Sequence, residues 1–564
     1  MTNRYSNILQ DLKQITGQSF LITAKWNKEP YSKGWRYGSG SALAVALPGS
    51  LVEIWKILKV CVSNDIIILM QAANTGLTGG SSPFGNDYDR PVLIINTLRI
   101  KDIHLLQDGK QVVAMAGSSL FDLERKLSPL GREPHSVIGS TSIGASIIGG
   151  ICNNSGGSLV QRGPAYTQMA LYAKVNKNGT LELINDLDID LGESPEEILN
   201  NLQSNNYNAS DFIKSNKRAS DDRYHEIVRD IDSDTPSRFN SDPRLLYDAS
   251  GSAGKIAVFA VRLDTYKKPV KSQVFYLGTN NPDVFWKIRR EMLSTFKVLP
   301  TSGDYLHRDC YEAAKKYSKD TFVILDKLGT KFLPTLFKIK RSVDLLSKKI
   351  PILPTYLSDK LMQCLSAIYP PHLPKKMEVF RDKYEHHWIV EMSDAGIEEA
   401  RQYFKNFFDN NEGGFFECTE REGKKAILHR FTAASAFGRY AALKESNIGG
   451  TLSMDIAFPR NEKKWFETLP KTIDDKFEMK LYYGHLFCHV LHQNYIVKKG
   501  VDIPALKKEL LAYYDSRGAE YPSEHNVGHE YKVKPTLLKF YRELDPTNSF
   551  NPGIGQTSKL KHWK

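Results

Sequence analysis

Three segments rich in glycine and small residues constrain the fold of this chain most tightly. Gln71–Ser82 follows the apolar run Ile66–Met70, a second segment covers residues 139–157, and a third, Ser250–Gly254, precedes a strand pattern. Small residues let a backbone approach a ligand closely and turn its N–H groups inward. The first segment is neither a Walker loop nor G-x-G-x-x-G opening a helix. A single such loop is often only a surface turn, but three together can line one extended ligand, and a dinucleotide has that length.

The surrounding pattern predicts an α+β unit built around a sheet. Helices are expected after Ser50, a plausible N-cap, and after Ser118 or Ser119. Strands are expected at Ile66–Met70, Val92–Ile95 and Val112–Met115. Residues 202–245 are rich in Asn, Asp, Ser and Arg, which predicts a long surface excursion with little core. From about residue 269 the pattern changes, which indicates a second domain.

Length and composition limit the class of protein. A chain of 564 residues is long enough for several domains, and no apolar run approaches the roughly 18 residues that span a bilayer. The first residues lack the apolar core of a secretory signal. The six cysteines are far apart without a C-x-x-C pair, so we expect neither a zinc knuckle nor a disulfide framework, and a reducing compartment. The net charge of +12 predicts an anionic partner.

The positive charge is concentrated in Lys327–Lys349, which holds seven Lys or Arg and one Asp. Four apolar residues recur at helical spacing within it: Leu336, Ile339, Val343 and Leu346. This is the composition of a helix that lies on an anionic membrane surface. A solvated basic helix packed on its own domain is the alternative. Nucleic acid is not expected, because the patch is local and no recognition motif accompanies it.

Histidines and a carboxylate cluster in the C-terminal part of the sequence. His485 and His492 are seven residues apart, which puts them on one face of a helix or on opposite faces of a strand. Glu524 and His525 follow in a short turn. Any one of these histidines could be an ordinary core or surface residue. A neutral imidazole, with a pKa near 6.5, is also suited to remove a proton from a substrate.

The order of the motifs resembles the FAD-binding domain of the vanillyl-alcohol-oxidase/PCMH-type flavoproteins. Within that superfamily, nearly the whole chain resembles the bacterial respiratory quinone-dependent D-lactate dehydrogenases. The segments that carry the resemblance are 48–53, Ala72–Gly80, Gly117, Arg132–Ser136, Ser146–Gly157, Tyr384–His387 and Asn551–Lys559.

The resemblance implies FAD, with a cradle drawn from all three segments. The pyrophosphate would be held by Ala72, Ala73, Asn74, Thr75, Gly76, Gly80 and Ser81. The adenosine and flavin portions would contact Gly139, Ser146 and Gly156, and Val258 would pack against the cofactor. The first loop has no His or Cys, so noncovalent FAD is expected, with Cys152 and His135 as the residues that could bond it.

The resemblance also implies roles for the C-terminal cluster. Related D-2-hydroxy-acid dehydrogenases bind a divalent metal with residues at the positions of His485, His492 and Glu524, and use the residue at His525 as the base. Here Phe487–Val490 replaces the Gly-Asp-Gly-Asn of those relatives, so a metal is less expected than the base. His525 is the first choice of base and His485 the second. A cation must hold the substrate carboxylate; Arg430 is favoured by the resemblance and Arg439 is the other candidate.

Together these expectations describe a PCMH-type FAD-binding domain (1–268, completed by 520–564), an α+β cap (269–304 and 382–519) and a helical, basic, membrane-facing insertion (305–381). The expected reaction is D-lactate to pyruvate, with electrons passed to ubiquinone or menaquinone. The expected place is the cytoplasmic face of the bacterial inner membrane, on anionic phospholipid. The alternatives are a flavoenzyme for another D-2-hydroxy acid or another acceptor, and a non-catalytic membrane-binding protein with a flavin fold.

Overall fold

The computed structural model describes residues 3–136, 141–329, 332–350 and 352–564, and it has an α+β fold. The helices are α1 (Asn3–Thr16), α2 (Lys25–Ser32), α3 (Leu51–Ser63), α4 (Leu120–Leu127), α5 (Ile147–Cys152), α6 (Pro195–Gln203), α7 (Tyr224–Arg229), α8 (Pro282–Thr295), α9 (Arg308–Tyr317), α10 (Lys319–Leu328), α11 (Leu333–Lys349), α12 (Leu357–Ser366), α13 (Lys375–Lys383), α14 (Gly396–Phe408), α15 (Glu420–Leu443), α16 (Lys471–Asp474), α17 (Ile503–Asp515) and α18 (Pro535–Leu544). The strands are β1 (Leu21–Ile22), β2 (Ala44–Ala46), β3 (Ile67–Gln71), β4 (Val92–Asn96), β5 (Ile103–Leu106), β6 (Gln111–Met115), β7 (Arg132–Pro134), β8 (Ala170–Val175), β9 (Leu181–Asn185), β10 (Ala257–Lys267), β11 (Ser272–Thr279), β12 (Ser302–His307), β13 (His386–Ser393), β14 (Gly414–Glu417), β15 (Ile448–Ala457), β16 (Phe477–His485) and β17 (Val490–Lys498).

Two sheets built from the N-terminal half share one hydrophobic core. The first has the order β1-β2-β4-β3, with β2, β3 and β4 parallel, and the second has the order β5-β6-β10-β8-β9 with β7 beside β10. The strands predicted at Ile66–Met70, Val92–Ile95 and Val112–Met115 are confirmed to within one residue at each end. Both predicted helices are present as well. The Ser50 hydroxyl accepts from the Glu53 N–H, and of the two alternatives for α4 it is Ser119 that caps the helix.

A third, antiparallel sheet has the order β14-β11-β13-β12-β16-β17-β15 and helices on both faces. One face packs on α8, α14 and α17, and the other on α9 and the long α15. Strands covered on both faces are apolar throughout, so a charged side chain within them needs a partner. Asp304 on β12 and Asp455 on β15 are buried carboxylates of this sheet.

The prediction of a core-poor surface excursion over 202–245 is wrong for its second half. Tyr224 and Val228 of α7 belong to the core of the third sheet, and Arg238 is fully buried. The polar composition misled because these side chains are paired in the interior. Arg238 reaches the carboxylate of Glu524, nearly 300 residues later in the chain.

The basic insertion folds as helices, and the predicted apolar face of α11 is only partly exposed. Leu336 is buried and Val343 half-buried, whereas Ile339 and Leu346 are 52% and 54% exposed. Steps of three and four residues keep the four side chains on one face of the helix, which is buried along one edge and exposed along the other. The neighbouring helix α12 repeats this arrangement, with Leu361, Leu365 and, just beyond its end, Ile368 exposed. Among the described residues, no helix is both long and apolar enough to cross a membrane.

Buried histidines predict that the fold is sensitive to acid. Burial lowers the pKa from its usual 6.5 to about 4 or about 3 at His135, His372, His386, His387, His429 and His529. Below pH 6.5 the unfolded chain binds protons that the folded chain does not, so each histidine lowers stability by up to about 1.4 kcal/mol per pH unit as the pH falls toward 4. We expect urea midpoints, measured by circular dichroism, to drop steeply between pH 6.5 and 4.5. They should be nearly constant from pH 7 to 8, and a flat profile through the acid range would contradict the expectation.

Candidate active site

A cavity of about 850 Å³ lies between the glycine segments and the third sheet. Its size is within the range of ligand and cofactor sites in proteins. Of the residues predicted from the sequence, it is lined by Ala72, Ala73, Asn74, Thr75, Gly76, Gly80, Ser81, Ser146, Gly156, Val258, Arg430, His485, His492, Glu524 and His525. Gly139 lies outside the described residues.

The first segment forms a tight loop that leaves its backbone facing the cavity. Asn74 adopts a left-handed conformation with φ of 52°, which an asparagine tolerates, and it is held by its amide donating to the Lys33 carbonyl and by the Ser81 hydroxyl. A Cβ added at Gly76 would have no heavy atom within 4 Å. The loop therefore encloses space that the protein itself does not fill.

The other two segments complete the wall. Ser146 caps α5 through its hydroxyl, and Gly156 approaches Glu524 so closely that a Cβ would lie 2.8 Å from its carboxylate oxygen. Val258 on β10 lines the same cavity. Backbone from three segments around one elongated space fits a flavin dinucleotide, because a pyrophosphate needs inward N–H groups and a planar ring needs an apolar wall.

The two residues considered for a covalent bond to the cofactor differ in position. Cys152 lines the cavity, and burial raises the pKa of its thiol to about 11. His135 is buried beside Tyr266 and is not in the cavity wall.

His485 and His492 lie on a β-hairpin, which the sequence reasoning did not consider. His485 ends β16, His492 lies on β17, and the register pairs His492 with Tyr483. Tyr483 and His485 are two residues apart and share a face, so the turn returns His492 to the face of His485. The ring centroids are 5.4 Å apart. Neither the helical arrangement nor the single strand is correct.

Each of these imidazoles has a carboxylate on one side and Glu524 on the other. His485 Nδ1 lies 2.9 Å from Asp304 Oδ1, and His492 Nδ1 lies 3.3 Å from Asp455 Oδ1. Both Nε2 atoms lie 3.7 Å from Glu524 Oε2. The His485 Nδ1 and Asp304 Oδ1 atoms form no hydrogen bond among the described residues, so it is the negative charge of the neighbouring carboxylate that favours a proton on Nδ1 and a lone pair on Nε2.

The cluster therefore offers lone pairs on imidazole nitrogens and carboxylate oxygens to a ligand. Burial lowers the pKa of His485, although Glu524 and Asp304 act in the opposite direction, so this ring is neutral at pH 7. The ligand atoms of His485, His492 and Glu524 all lie within 4.8 Å of one another. Two imidazole nitrogens and one carboxylate form a donor set that zinc or manganese accepts.

Buried charges hold the turn that carries Glu524 and His525. Arg238 forms a buried ion pair with Glu524, and Asp455 accepts hydrogen bonds from the Ser523 hydroxyl and the Glu524 N–H, each at 2.7 Å. Burial alone would raise the pKa of Asp455, but His492 and His525 hold it well below its usual value. A permanently charged Asp455 thus fixes the turn against β15.

His525 is the histidine of the cluster that is most accessible from the cavity. Its side chain is about one-third exposed, and its Nε2 lies 3.7 Å from Asp455 Oδ2. That separation is longer than a hydrogen bond, so Asp455 acts on the ring through its charge, which favours a proton on Nε2 and leaves Nδ1 to accept one.

The two candidate arginines have different surroundings. Arg439 is paired with two carboxylates, Asp320 and Asp359, at 3.0 and 2.7 Å. Arg430 lies over the Tyr483 ring, 3.4 Å from Asp304, and its buried Nε has no hydrogen-bond partner among the described residues. With one carboxylate nearby and a buried donor unused, Arg430 is the guanidinium better placed to bind an anion.

Sequence reasoning missed Asp304, Asp455 and Arg238. The two aspartates carried a signal, because each is the single charged residue of an otherwise apolar or small strand interior, in Ser302–Leu306 and Leu452–Ala457. Arg238 carried none, since it stands in a polar stretch that has the composition of a surface loop.

The chain is similar to known proteins along nearly its whole length. A family model described as "D-lactate dehydrogenase, membrane binding" matches residues 274–563, and one described as "FAD binding domain" matches residues 42–184. The quinone-dependent D-lactate dehydrogenase of Haemophilus influenzae is 54% identical over 99% of both chains. The Escherichia coli protein of that name is also 54% identical, over 99% of this chain and 97% of its own, and the Corynebacterium glutamicum one is 45% identical over 98% and 97%.

Superposition on solved structures identifies the fold. p-Cresol methylhydroxylase with substrate bound superimposes with a TM-score of 0.58 at 12% identity, covering 99% of this chain and 98% of that one. Alkyldihydroxyacetonephosphate synthase gives a TM-score of 0.59 at 11% identity, covering 97% and 85%. The chain has the PCMH-type fold.

Filling the space beside Gly76 should prevent cofactor binding without disturbing the protein. We expect Gly76→Val to lower the flavin absorbance per protein by tenfold or more, equivalent to about 1.4 kcal/mol or more of binding free energy, because the new side chain occupies the cradle. Gly76→Ala should have a smaller effect. Thermal unfolding of the cofactor-stripped variants should match stripped wild type. Full flavin content in Gly76→Val would show that the cofactor does not lie against this loop.

Proposed function

The chain belongs to the quinone-dependent D-lactate dehydrogenase family, and we propose how its residues carry out that reaction. It binds FAD, oxidises D-lactate to pyruvate and passes the electrons to a membrane quinone. The observation that supports the residue roles below is that one cavity holds the glycine cradle, an oriented imidazole and an arginine with a free donor.

Arg430 holds the substrate carboxylate in this proposal. Its Nε is buried without a partner, and the Tyr483 ring 4.6 Å below the guanidinium keeps the group planar against the wall. Asp304, 3.4 Å away, retains the positive charge in a desolvated site. A 2-hydroxy acid anchored there presents its hydroxyl carbon to the interior of the cavity.

His525 removes the proton of the substrate hydroxyl. Asp455 orients its ring and stabilises the imidazolium that forms, as a carboxylate does for a general base. Bound FAD would supply the acceptor for the hydride that leaves the substrate carbon. His485 is the second choice of base, since both of its nitrogens already face carboxylates.

Glu524, His485 and His492 would hold a divalent cation, which would polarise the substrate hydroxyl and favour loss of its proton. Asp304 and Asp455 support this assignment as carboxylates behind the two imidazoles. Arg238 pairs with Glu524 and competes for the same carboxylate, so the ligand set is weaker than one without an ion pair.

Noncovalent attachment of FAD is part of the proposal. Cys152 is the cavity residue that could form a bond, and its raised pKa of about 11 keeps it a neutral thiol, which is a poor nucleophile.

We also propose the domain boundaries. The FAD-binding domain comprises 1–268 with 520–564, the cap comprises 269–304 with 382–519, and the membrane-facing insertion comprises 305–381.

Replacing His525 should separate chemistry from cofactor binding. We expect His525→Gln to slow anaerobic reduction of bound flavin by D-lactate by about 10²–10⁴-fold, because a general base contributes that much. Flavin content should be unchanged. His485→Gln serves as the matched comparison, and a larger loss there than in His525→Gln would exchange the two roles.

The same anaerobic flavin assay identifies the electron donor and the electron acceptor. D-lactate should bleach the flavin faster than L-lactate or larger D-2-hydroxy acids, and a quinone analogue should restore the colour faster than oxygen. Equal rates with oxygen would favour a different acceptor. A colourless purified protein would favour a non-catalytic role.

Metal content gives a separate measurement of the histidine cluster. If the three ligands hold a cation, elemental analysis should find about one zinc or manganese per chain in wild type and a large loss in His492→Ala, since two ligands bind weakly. Arg238→Gln should raise occupancy by freeing Glu524. Metal-free wild type with full activity would remove the cation from the proposal.

The insertion attaches the protein peripherally to a membrane, and we propose anionic phospholipid at the cytoplasmic face of the inner membrane as its partner. Support comes from the cations of Lys327–Lys349 and from Ile339, Leu346 and Ile368, the last 79% exposed. Exposed apolar groups among cations bind such surfaces by insertion and charge together.

Outer-face substitutions should weaken this attachment without affecting the fold. We expect Ile339→Asp with Leu346→Asp to reduce co-sedimentation with vesicles containing phosphatidylglycerol by tenfold or more, about 1.4 kcal/mol or more. Binding should also fall with salt. Thermal stability should be unchanged, and Lys424→Leu on exposed α15 surface is the control. Unchanged sedimentation of the double variant would contradict the proposal.

A further inference from the structure

The cavity does not end at the histidines but continues along helix α15. Ile427, Phe431, Ala434, Gly438 and Ala442 line it at intervals of three or four residues, which is one face of the helix. At 1.5 Å per residue, the stretch from Arg430 to Arg439 covers about 13 Å. The part of the cavity beside Gly438 and Arg439 is thus about two and a half helical turns from Arg430, and Phe431, next to Arg430, lies where the two stretches meet.

We call this stretch the insertion end and define it by Leu336, Lys340, Met362, Phe431, Gly438 and Arg439, all in the cavity wall. None of these residues belongs to the three glycine segments. They come instead from α11 and α12 of the insertion and from α15. D-lactate has only six heavy atoms and is already provided for by Arg430 and His525, so it does not need this space.

The helices that form the insertion end also form the exposed apolar surface. Leu336 and Lys340 face the cavity from α11, while Ile339 and Leu346 are exposed on the adjoining flank of the same helix. On α12, Met362 faces the cavity and Leu361 and Leu365 are exposed. An α-helix with its side chains is about 10 Å across. A ligand dissolved in lipid therefore has about one helix diameter to travel.

The charged groups at the insertion end are paired with one another. Lys340 Nζ and Arg439 Nε lie 2.6 and 2.7 Å from the same Asp359 oxygen, and Arg439 also pairs with Asp320. Two cations and two carboxylates give no net charge, so the wall does not select an anion. The ammonium and guanidinium still have N–H donors beyond those used, which suit the carbonyl oxygen of a neutral ring.

We propose that the insertion end binds the ring of the quinone acceptor, with Lys340 and Arg439 donating to a quinone carbonyl and Leu336, Met362 and Phe431 packing against its apolar part. The proposal rests on the quinone reduction described under the proposed function. The reaction balances: D-lactate loses two electrons and two protons to become pyruvate, and the quinone gains two electrons and two protons to become the quinol.

Gly438 offers a steric test because a Cβ there would meet no heavy atom outside its own helix within 4 Å. Leucine is a better helix former than glycine, so Gly438→Leu should fold and fill the insertion end. We expect the KM for a short-chain ubiquinone to rise by about tenfold or more, equivalent to about 1.4 kcal/mol. Gly438→Ala should give a smaller rise, and Lys424→Leu on the exposed side of α15 should give none.

A binding measurement accompanies the kinetics. An azido-ubiquinone, photolysed with the wild-type holoenzyme, should label peptides of α11, α12 or α15, and Gly438→Leu should abolish that labelling. Anaerobic bleaching of the flavin by D-lactate should proceed at the wild-type rate in Gly438→Leu. Wild type that fails to bleach would refute the proposed function and not this site.

Two results would overturn the quinone site. Unchanged quinone KM and labelling in Gly438→Leu would show that the ring binds elsewhere. Loss of flavin from Gly438→Leu would show that the insertion end holds part of FAD.

Discussion

The buried carboxylate of Asp455 is the interaction on which the site depends. It projects from β15 into an interior where an unpaired charge would be costly, and its partners are the Ser523 hydroxyl, the Glu524 N–H, His492 and His525. Satisfying one charge thus positions the turn, His492 and His525 together. The glycine segments meet the same turn from the other side, where Gly156 touches Glu524 and Gly80 touches Asn526 at distances that leave no room for a Cβ. Cofactor cradle and catalytic turn are therefore one packed unit.

Much of the fold followed from local patterns. The Ser50 cap and the apolar runs near residues 66, 92 and 112 predicted their helix and strands because both signals act within a few residues. The error over 202–245 has the opposite cause. Arg238 is buried only because Glu524 lies beside it, and a partner nearly 300 residues away leaves no trace in local composition. The part of the apolar face of α11 that is buried could not be predicted for a related reason, since the burial of Leu336 depends on Leu428 and Phe431 of α15.

For the site as well, the sequence identified individual residues but not the contacts between distant segments. The resemblance supplied the histidines, Glu524 and Arg430, and the structure brings them into one cavity. It could not supply the hairpin that puts His485 beside His492, which depends on the register of β16 and β17. It favoured Arg430 over Arg439 without a physical reason, which lies in the two carboxylates already paired with Arg439 against one beside Arg430. The exposed apolar surface and the cavity wall share helices α11 and α12.

A crystal structure of the protein with FAD and the product pyruvate tests the shared cavity most directly. The flavin ring should lie between the Ala72–Ser81 loop and the His485–His492 hairpin, with the pyruvate carboxylate on Arg430 and its keto oxygen within hydrogen-bond distance of His525. A flavin ring bound away from this hairpin, or a pyruvate carboxylate on another cation, would contradict the claim that Asp455 and the glycine segments together build the active site.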